Sequence, residues 1–381
     1  MDLKTRIQTA RQALDQVDKT PDQLNMFLGF DGFVDEIIDV VDKRQSPEEY
    51  TRVETISDFA ERLGKAAGLS ANVELVPRQV KLGGNGPIMA NALLAYDTKV
   101  TYIGAIGYPD IHPVFKDMAD KAVEAISICE PGHTDALEFA DGKLMLGKTI
   151  SMNDVNWDNI LKHIGLDRFK DLLRNQHLIA FVNWTMLPYM TELWEKMLTE
   201  VLPNTKLEEN PIIFFDLADP AKRSNEDIRQ AMEAIKKFNN FGRAVLGLNR
   251  REASAIAEVL GVELSDAPEN VSLEEITEAV GKAMGIYGVV VHPTNSAACY
   301  IGGQVYSTDG PYTSKPRLTT GAGDNFNAGF SLGLALGLDP QSALVMGTGT
   351  SGFYVRNMHS PSFTDLKNFL DLWAENAGED F

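Results

Sequence analysis

From about residue 178 onward the chain alternates short apolar runs with amphipathic helical patterns. HLIAFVNW, PIIFFDLAD, RAVLGLN and YGVVVHP are continuous apolar stretches, and LPYMTELWEKMLTEV, SNEDIRQAMEAIKKF and RREASAIAEVL lie between them. A strand covered on both faces reads as an unbroken apolar run, and a parallel neighbour needs a crossover that is usually helical. The alternation therefore predicts an α/β fold built on a doubly wound, mostly parallel sheet flanked by helices. No repeat, low-complexity tract or linker divides the 381 residues. The expectation is a single domain over 1–381 carrying a small β-sheet.

The first half supplies candidates for that small sheet. An opening helix is followed by the apolar strand LNMFLGF and the more amphipathic DGFVDEIIDVV. A capped segment then spaces Val53, Ile56, Phe59 and Leu63 for one helical face, predicting a helical insertion over about 48–68. Strand-like NVELV, the turn KLGGNGP, the helix IMANALLAY and the strand KVTYIGAIG come next. Residues 134–150 read as a hairpin turning at Asp141-Gly142. Small-sheet elements are thus expected near 33–42, 72–82 and 134–151.

Charge limits the function classes. With 35 basic against 54 acidic side chains, the net charge is −19. Nucleic acid and anionic membrane surfaces are held mainly by Lys and Arg, so neither is an expected partner. An anionic substrate would need local help from backbone amides or a metal. Cys129 and Cys299 are the only cysteines and fit neither a disulfide framework nor a zinc spacing, so both are expected as small buried hydrophobes. The N-terminus lacks the apolar core of a signal peptide and no run approaches transmembrane length, so a soluble, cytoplasmic location is expected.

The stretch LTTGAGDNFNAGF (Leu318–Phe330) places Gly321, Ala322 and Gly323 before Asp324 at the start of an apolar helical pattern. A helix N-terminus carries unpaired N–H groups and about half a positive charge. Side chains no larger than methyl let a phosphate oxygen reach those donors, and a carboxylate beside them can take a hydroxyl proton. That is the equipment of phosphoryl transfer, without the GxxxxGK[ST] of a P-loop.

The stretch resembles the C-terminal signature of the ribokinase-like carbohydrate kinases, the PfkB family, written DTxGAGDxFxAGF. The resemblance runs over roughly residues 24–375 and takes in, in order, GFDGFVD, LGGNGPIMANALLAYDTKVTYIGAIG, LNRREA, VVVHPTNSAACY and this signature. It implies Asp324 as catalytic base, with the amides of Gly321, Ala322 and Gly323 as an anion hole. Asn249 and Glu252 resemble the Asn-x-x-Glu motif that organises Mg²⁺ near the nucleotide phosphates, and Asn249, Thr294 and Asn295 are implied on the nucleotide side. The alternative reading of Asn249 and Glu252 is a capping box. Asp35, with Asp31 as a second candidate, resembles the aspartate that binds substrate hydroxyls. Gly83, Gly84 and Asn85 resemble the turn that closes over the sugar.

The implied activity is Mg²⁺-dependent transfer of the ATP γ-phosphate to a sugar or sugar-like hydroxyl, with the small sheet as a lid and a homodimer possible. Four positions depart from the pattern. Leu318 replaces the aspartate that opens the signature, Ile88 replaces an asparagine of the GGxxxN turn, FDLADPAKR lacks the arginine of a DPNYR stretch, and HPTNSAA lacks its glycines. A non-catalytic sugar or nucleotide sensor therefore stays open, and GFDGFVDEI, which also resembles the strand end of ADP-dependent sugar kinases, keeps ADP open as the donor. GTGTSG (Gly347–Gly352) matches GxGxxG but lies in a helical pattern, and reads as close helix packing. His292 is expected at a strand end, and Trp157, Trp184 and Trp194 in packing roles.

Overall fold

A computed structural model describes residues 2–381. Its strands, in chain order, are β1 (Asn25–Phe30), β2 (Phe33–Arg44), β3 (Tyr50–Arg52), β4 (Leu75–Gly83), β5 (Lys99–Gly104), β6 (Glu124–Ser127) and β7 (Gly132–Phe139). They continue as β8 (Gly142–Lys148), β9 (Leu178–Phe181), β10 (Ile212–Asp216), β11 (Arg243–Leu248), β12 (Gly288–Val291), β13 (Ser296–Ile301) and β14 (Gln304–Asp309).

Nine strands form the large sheet in the order β14-β13-β12-β11-β10-β9-β1-β5-β6. Every pairing from β6 through to β12 is parallel, and only β13, which pairs antiparallel with both β12 and β14, runs against the rest. The apolar runs are buried on both faces because alternate residues enter two separate cores. Phe27, Ile179, Phe181, Ile213 and Phe215 pack with helices Asn225–Phe238, Arg250–Leu260 and Leu273–Met284. Met26, Leu28, Ala180, Phe214 and Val245 pack against Asn85–Ala95, Ala322–Ala335, Pro340–Asn357 and Phe363–Glu375. The doubly wound α/β architecture is thus the one the alternation implies. Trp157, Trp184 and Trp194 are buried in the first core, and both cysteines are buried and free.

The Gly347–Gly352 stretch lies inside helix Pro340–Asn357. A methyl on Gly347 would come within 2.9 Å of Phe326, and one on Gly349 within 2.9 Å of Leu370. The glycines are there for close packing, as the helical context implied.

The small sheet contains β2, β3, β4, β7 and β8. β2 pairs with β4 antiparallel and with β7 parallel, and β7–β8 is the hairpin that turns before Gly142. Two boundaries differ from expectation. The insertion is not helical from 48: the Ser46 hydroxyl accepts the amides of Glu48 and Glu49, Tyr50–Arg52 pairs with β2, and the helix spans only Ile56–Lys65 under a Thr55 cap. A hydroxyl that bonds nearby amides offers the backbone an alternative to a helical turn. The expected NVELV strand instead starts at Leu75 and runs through Pro77 to Gly83. Leu63, expected on the buried face, is 48% exposed. Ile38, Val40, Val53, Phe59, Leu137 and Phe139 form a separate apolar cluster between helix Ile56–Lys65 and the outward face of this sheet. Among the described residues no helix is long and apolar enough to cross a membrane.

Candidate active site

Five central strands of the large sheet end on polar residues at their carboxyl ends. Asp31 follows β1, Asn183 follows β9, Asp216 ends β10, Asn249 follows β11 and His292 follows β12. Chain order reverses between β1 and β9, and in open α/β sheets ligands bind outside the carboxyl ends at such a point.

Asp31 sits at that reversal but is not presented to a substrate. It is fully buried, its Oδ1 accepts the Gly86 amide at 2.8 Å, and its Oδ2 accepts the Asn85 amide at 2.9 Å and Asn183 Nδ2 at 2.6 Å. These bonds anchor the N-terminus of helix Asn85–Ala95 and engage both oxygens of the hydroxyl-binding candidate Asp31 with protein donors. Gly84 precedes that helix at φ 92°, where a side chain would be strained and would also press on Asp31 Oδ2 at 2.9 Å. Burial raises the Asp31 carboxyl to about 6 despite these donors.

Asp35 lies on β2, and Gly83 is the last residue of the neighbouring β4. A methyl group on Gly83 would overlap the Asp35 carboxylate, so the glycine is what lets that carboxylate lie against the turn. Asp35 is 6% exposed, and burial raises its pKa against the opposing pull of Thr134 and Lys81.

Asp324 stands in the first turn of helix Ala322–Ala335, after Gly321 at φ 88°. Its Oδ1 accepts Asn85 Nδ2 at 2.9 Å, which ties Asp324 to the helix that Asp31 anchors. Burial and the nearby Asp216 and Asp31 charges raise its pKa well above the ordinary carboxylate range, with Asn85 opposing them. Asn325 Nδ2 donates to the Gly321 carbonyl at 2.9 Å and the Tyr354 hydroxyl to that of Thr320 at 2.8 Å, which fixes the turn from behind. The expected donor set needs one correction. The Ala322 amide donates to the Thr319 carbonyl at 3.2 Å, whereas the amides of Gly321 and Gly323 meet no acceptor among the described residues.

This turn opens on a cavity of about 430 Å³. Ala322 and Gly323 form part of its wall, with Asn249, His292, Thr294 and Asn295. The three nucleotide-side candidates and the turn therefore share one cleft. His292 follows β12 as expected, stacks on Phe326 at 4.5 Å, and is held neutral because burial pulls it down to about 4.

Asn249 and Glu252 do form a capping box. The Asn249 side chain accepts the Glu252 amide at 3.0 Å, and Glu252 Oε2 accepts the Asn249 amide at 2.8 Å. Glu252 Oε1 also accepts the Asp219 amide at 2.9 Å. Burial, first of all, raises the pKa of Glu252. Asp216 is its neighbour in charge and was missed by sequence reasoning. Burial and then Glu252 raise Asp216 to about 8, although Asn327 Nδ2 at 2.7 Å and the Ala218 amide at 2.9 Å both donate to it. The available signal was an acid closing the apolar run PIIFFD at a strand end. In the FDLADPAKR stretch, Lys222 and Arg223 do not line this cleft. Lys222 pairs with Asp219, and the Arg223 guanidinium lies over the Trp184 ring at 4.5 Å.

With this geometry in view, the relatives can be compared. The model of the prokaryotic ketohexokinase family matches residues 1–373. The chain belongs to that family. It is a carbohydrate kinase, a transferase that moves phosphate to an alcohol group. A ketohexokinase of Haloferax volcanii is 28% identical over 374 residues, covering 98% of this chain and 97% of its own. Among solved structures, Arabidopsis thaliana ribokinase in complex with ribose and ATP superposes with a TM-score of 0.60 at 16% identity, covering 91% of this chain and 98% of its own. A carbohydrate kinase from Agrobacterium tumefaciens gives 0.61 at 15% identity, covering 92% and 97%. These two establish the ribokinase-like fold.

Proposed function

We propose that this ketohexokinase-family kinase transfers the γ-phosphoryl group of ATP to a hydroxyl of a ketohexose or closely similar sugar, with Asp324 as the base. Support comes from one juxtaposition: Ala322 and Gly323 line a cavity, the Gly323 amide is unpaired, and the next residue is the buried carboxylate Asp324. Asp35 holds acceptor hydroxyls against the Gly83–Gly84 turn, since a carboxylate accepts from two neighbouring hydroxyls at once. Asn85 orients Asp324 from the acceptor side.

The acceptor oxygen attacks the terminal phosphorus and its proton passes to Asp324. A new P–O bond forms, the bond to the β–γ bridging oxygen breaks, and ADP leaves with that electron pair. The amides of Gly321 and Gly323 meet the charge on the transferred group. Asn249, Thr294 and Asn295 hold the nucleotide. The small sheet serves as the lid that keeps water from competing for the phosphoryl group.

The residues present fit a magnesium ion held largely through its own waters. Among the described residues no group of three or more acidic, histidine or cysteine side chains converges on one point, yet Glu252 and Asp216 are both buried carboxylates, and the charge of Glu252 adds to the burial that raises Asp216. A hard divalent cation takes oxygen donors and needs few from protein. Glu252, Asp216 and Asn249 would hold it, and when bound it neutralises phosphate charge.

Nucleotide consumption measured over a panel of ketohexoses, aldohexoses, pentoses and nucleosides, with ATP or ADP as donor, tests the reading. ATP-dependent turnover highest with a ketohexose is expected. Turnover with ADP alone overturns the donor assignment, and absence of turnover with any sugar overturns the function.

A further inference from the structure

Asp31 takes no part in the transfer step, yet the fold keeps a carboxylate there with no exposed surface. Removing a carboxylate from water is costly unless strong hydrogen bonds offset it. Protein closes it in on every side that the glycines border. A methyl on Gly86 would lie 2.5 Å from Asp31 Oδ1, and one on Gly104 2.8 Å from the Asp31 carbonyl oxygen, which accepts the Tyr102 hydroxyl at 2.5 Å. Gly84 closes the Oδ2 side, so no space for a sugar hydroxyl is left beside the carboxylate.

What this carboxylate holds is the first residue of helix Asn85–Ala95. Asp31 Oδ2 accepts the Asn85 amide, and the Asn85 side chain reaches the other way to donate from Nδ2 to Asp324 Oδ1. Among the described residues no other side chain donates to Asp324. Only χ1 and χ2 of Asn85 separate the two bonds, so the place of Asp324 Oδ1 is referred to Asp31. The orientation of Asp31 is fixed in turn by the Gly86 amide on Oδ1 and by Asn183 Nδ2 at 2.6 Å on Oδ2. Asn183 comes from the end of β9, where it stands at φ 63°. One carboxylate thus ties β1, β9 and the helix to the base.

We propose that Asp31 is a positioning residue for phosphoryl transfer. It sets Asn85, and through Asn85 the Asp324 carboxylate, at the angle from which the acceptor hydroxyl is deprotonated, and it binds no substrate itself. This assignment rests on the kinase reading and deepens it by giving work to a buried acid that the transfer step leaves unused.

Steady-state kinetics with one ketohexose and ATP test it in Asp31→Asn, Asn85→Ser and the double variant. Asp31→Asn keeps the shape, but its NH₂ must face the amide of either Asn85 or Gly86, so one of the two helix bonds is lost. It is expected to lower kcat by about 10–100-fold while the sugar KM moves by less than about threefold, the pattern of a misplaced catalytic group. Asn85→Ser, at a partly exposed position where serine suits a helix start, is expected to lower kcat about as much. The double variant should match Asn85→Ser to within about threefold, because both changes break one path. Should Asp31→Asn fail to fold, Asn183→Gly takes its place: glycine fits the positive φ, and the loss of its donor to Asp31 is expected to lower kcat severalfold at unchanged sugar KM. A raised sugar KM with kcat retained in Asp31→Asn makes Asp31 a substrate ligand and overturns the assignment. So do losses that multiply in the double variant, full kcat in Asn85→Ser, or, where Asn183→Gly is the variant used, full kcat there. No turnover of any sugar by the wild-type chain overturns the kinase reading instead.

Discussion

Asp216→Asn tests the electrostatics of the site most directly. Its carboxyl is raised from 3.8 to about 8 by burial and by Glu252. A carboxyl that binds its proton more tightly in the folded state destabilises the fold once it must ionise. The stability it would otherwise contribute is present below the unfolded pKa and is lost as pH climbs from 3.8 toward about 8. Between pH 5 and pH 8 the change spans about three pH units at about 1.36 kcal/mol each, a ceiling of about 4 kcal/mol. The amide does not titrate. It also finds partners in place, because Asn327 Oδ1 has no hydrogen bond and a flip of that side chain offers a carbonyl to the new NH₂. Urea unfolding of both proteins at pH steps from 5 to 8 should show the variant gaining on the wild type by about 2–4 kcal/mol across the range. A difference that stays constant with pH would falsify the strained-carboxylate argument.

Four further outcomes follow from the geometry. Asp324→Asn should lower kcat by about 10²–10⁴ in steady-state assays, the usual range for a positioned base, with nucleotide affinity little changed. Because Asp324 is pushed upward by burial and by Asp216, kcat should fall as pH drops through a value above the ordinary carboxylate range, and Asp216→Asn should move that limb to lower pH. Gly83→Ala should raise the acceptor KM about tenfold or more, since its methyl would displace Asp35, while equilibrium nucleotide binding holds. Gly329→Ala should cost about 1–3 kcal/mol in unfolding measurements, because its methyl would overlap Thr350 and come within 2.9 Å of the Met346 carbonyl.

The large sheet was legible because its strands are buried on both faces, and double burial leaves an uninterrupted apolar run that periodicity detects. The small sheet was harder. β4 contains Pro77, and its exposed Arg78, Gln79 and Val80 carry little pattern. β3 is only three residues long and is defined by its pairing with β2. In the site, Asp324 stood out in the sequence through the small-residue turn before it, whereas Asn249, Thr294 and Asn295 were carried by the family resemblance alone. Asp31 could not be told from Asp35 by sequence, because only three dimensions show which carboxylate is saturated by protein donors. Asp216 is an ordinary strand-end acid until the fold sets it beside Glu252.

The apolar cluster around Phe59 and Phe139 has a mechanical consequence. Bare strands would bend along their length, whereas a sheet backed by its own helix and hydrophobic filling resists bending as a plate does. Its stiffness is then set on the outer side, away from every group that meets substrate. Replacing Phe59 would soften that plate from its outer side without touching Asp35, Asp324 or the glycine turn.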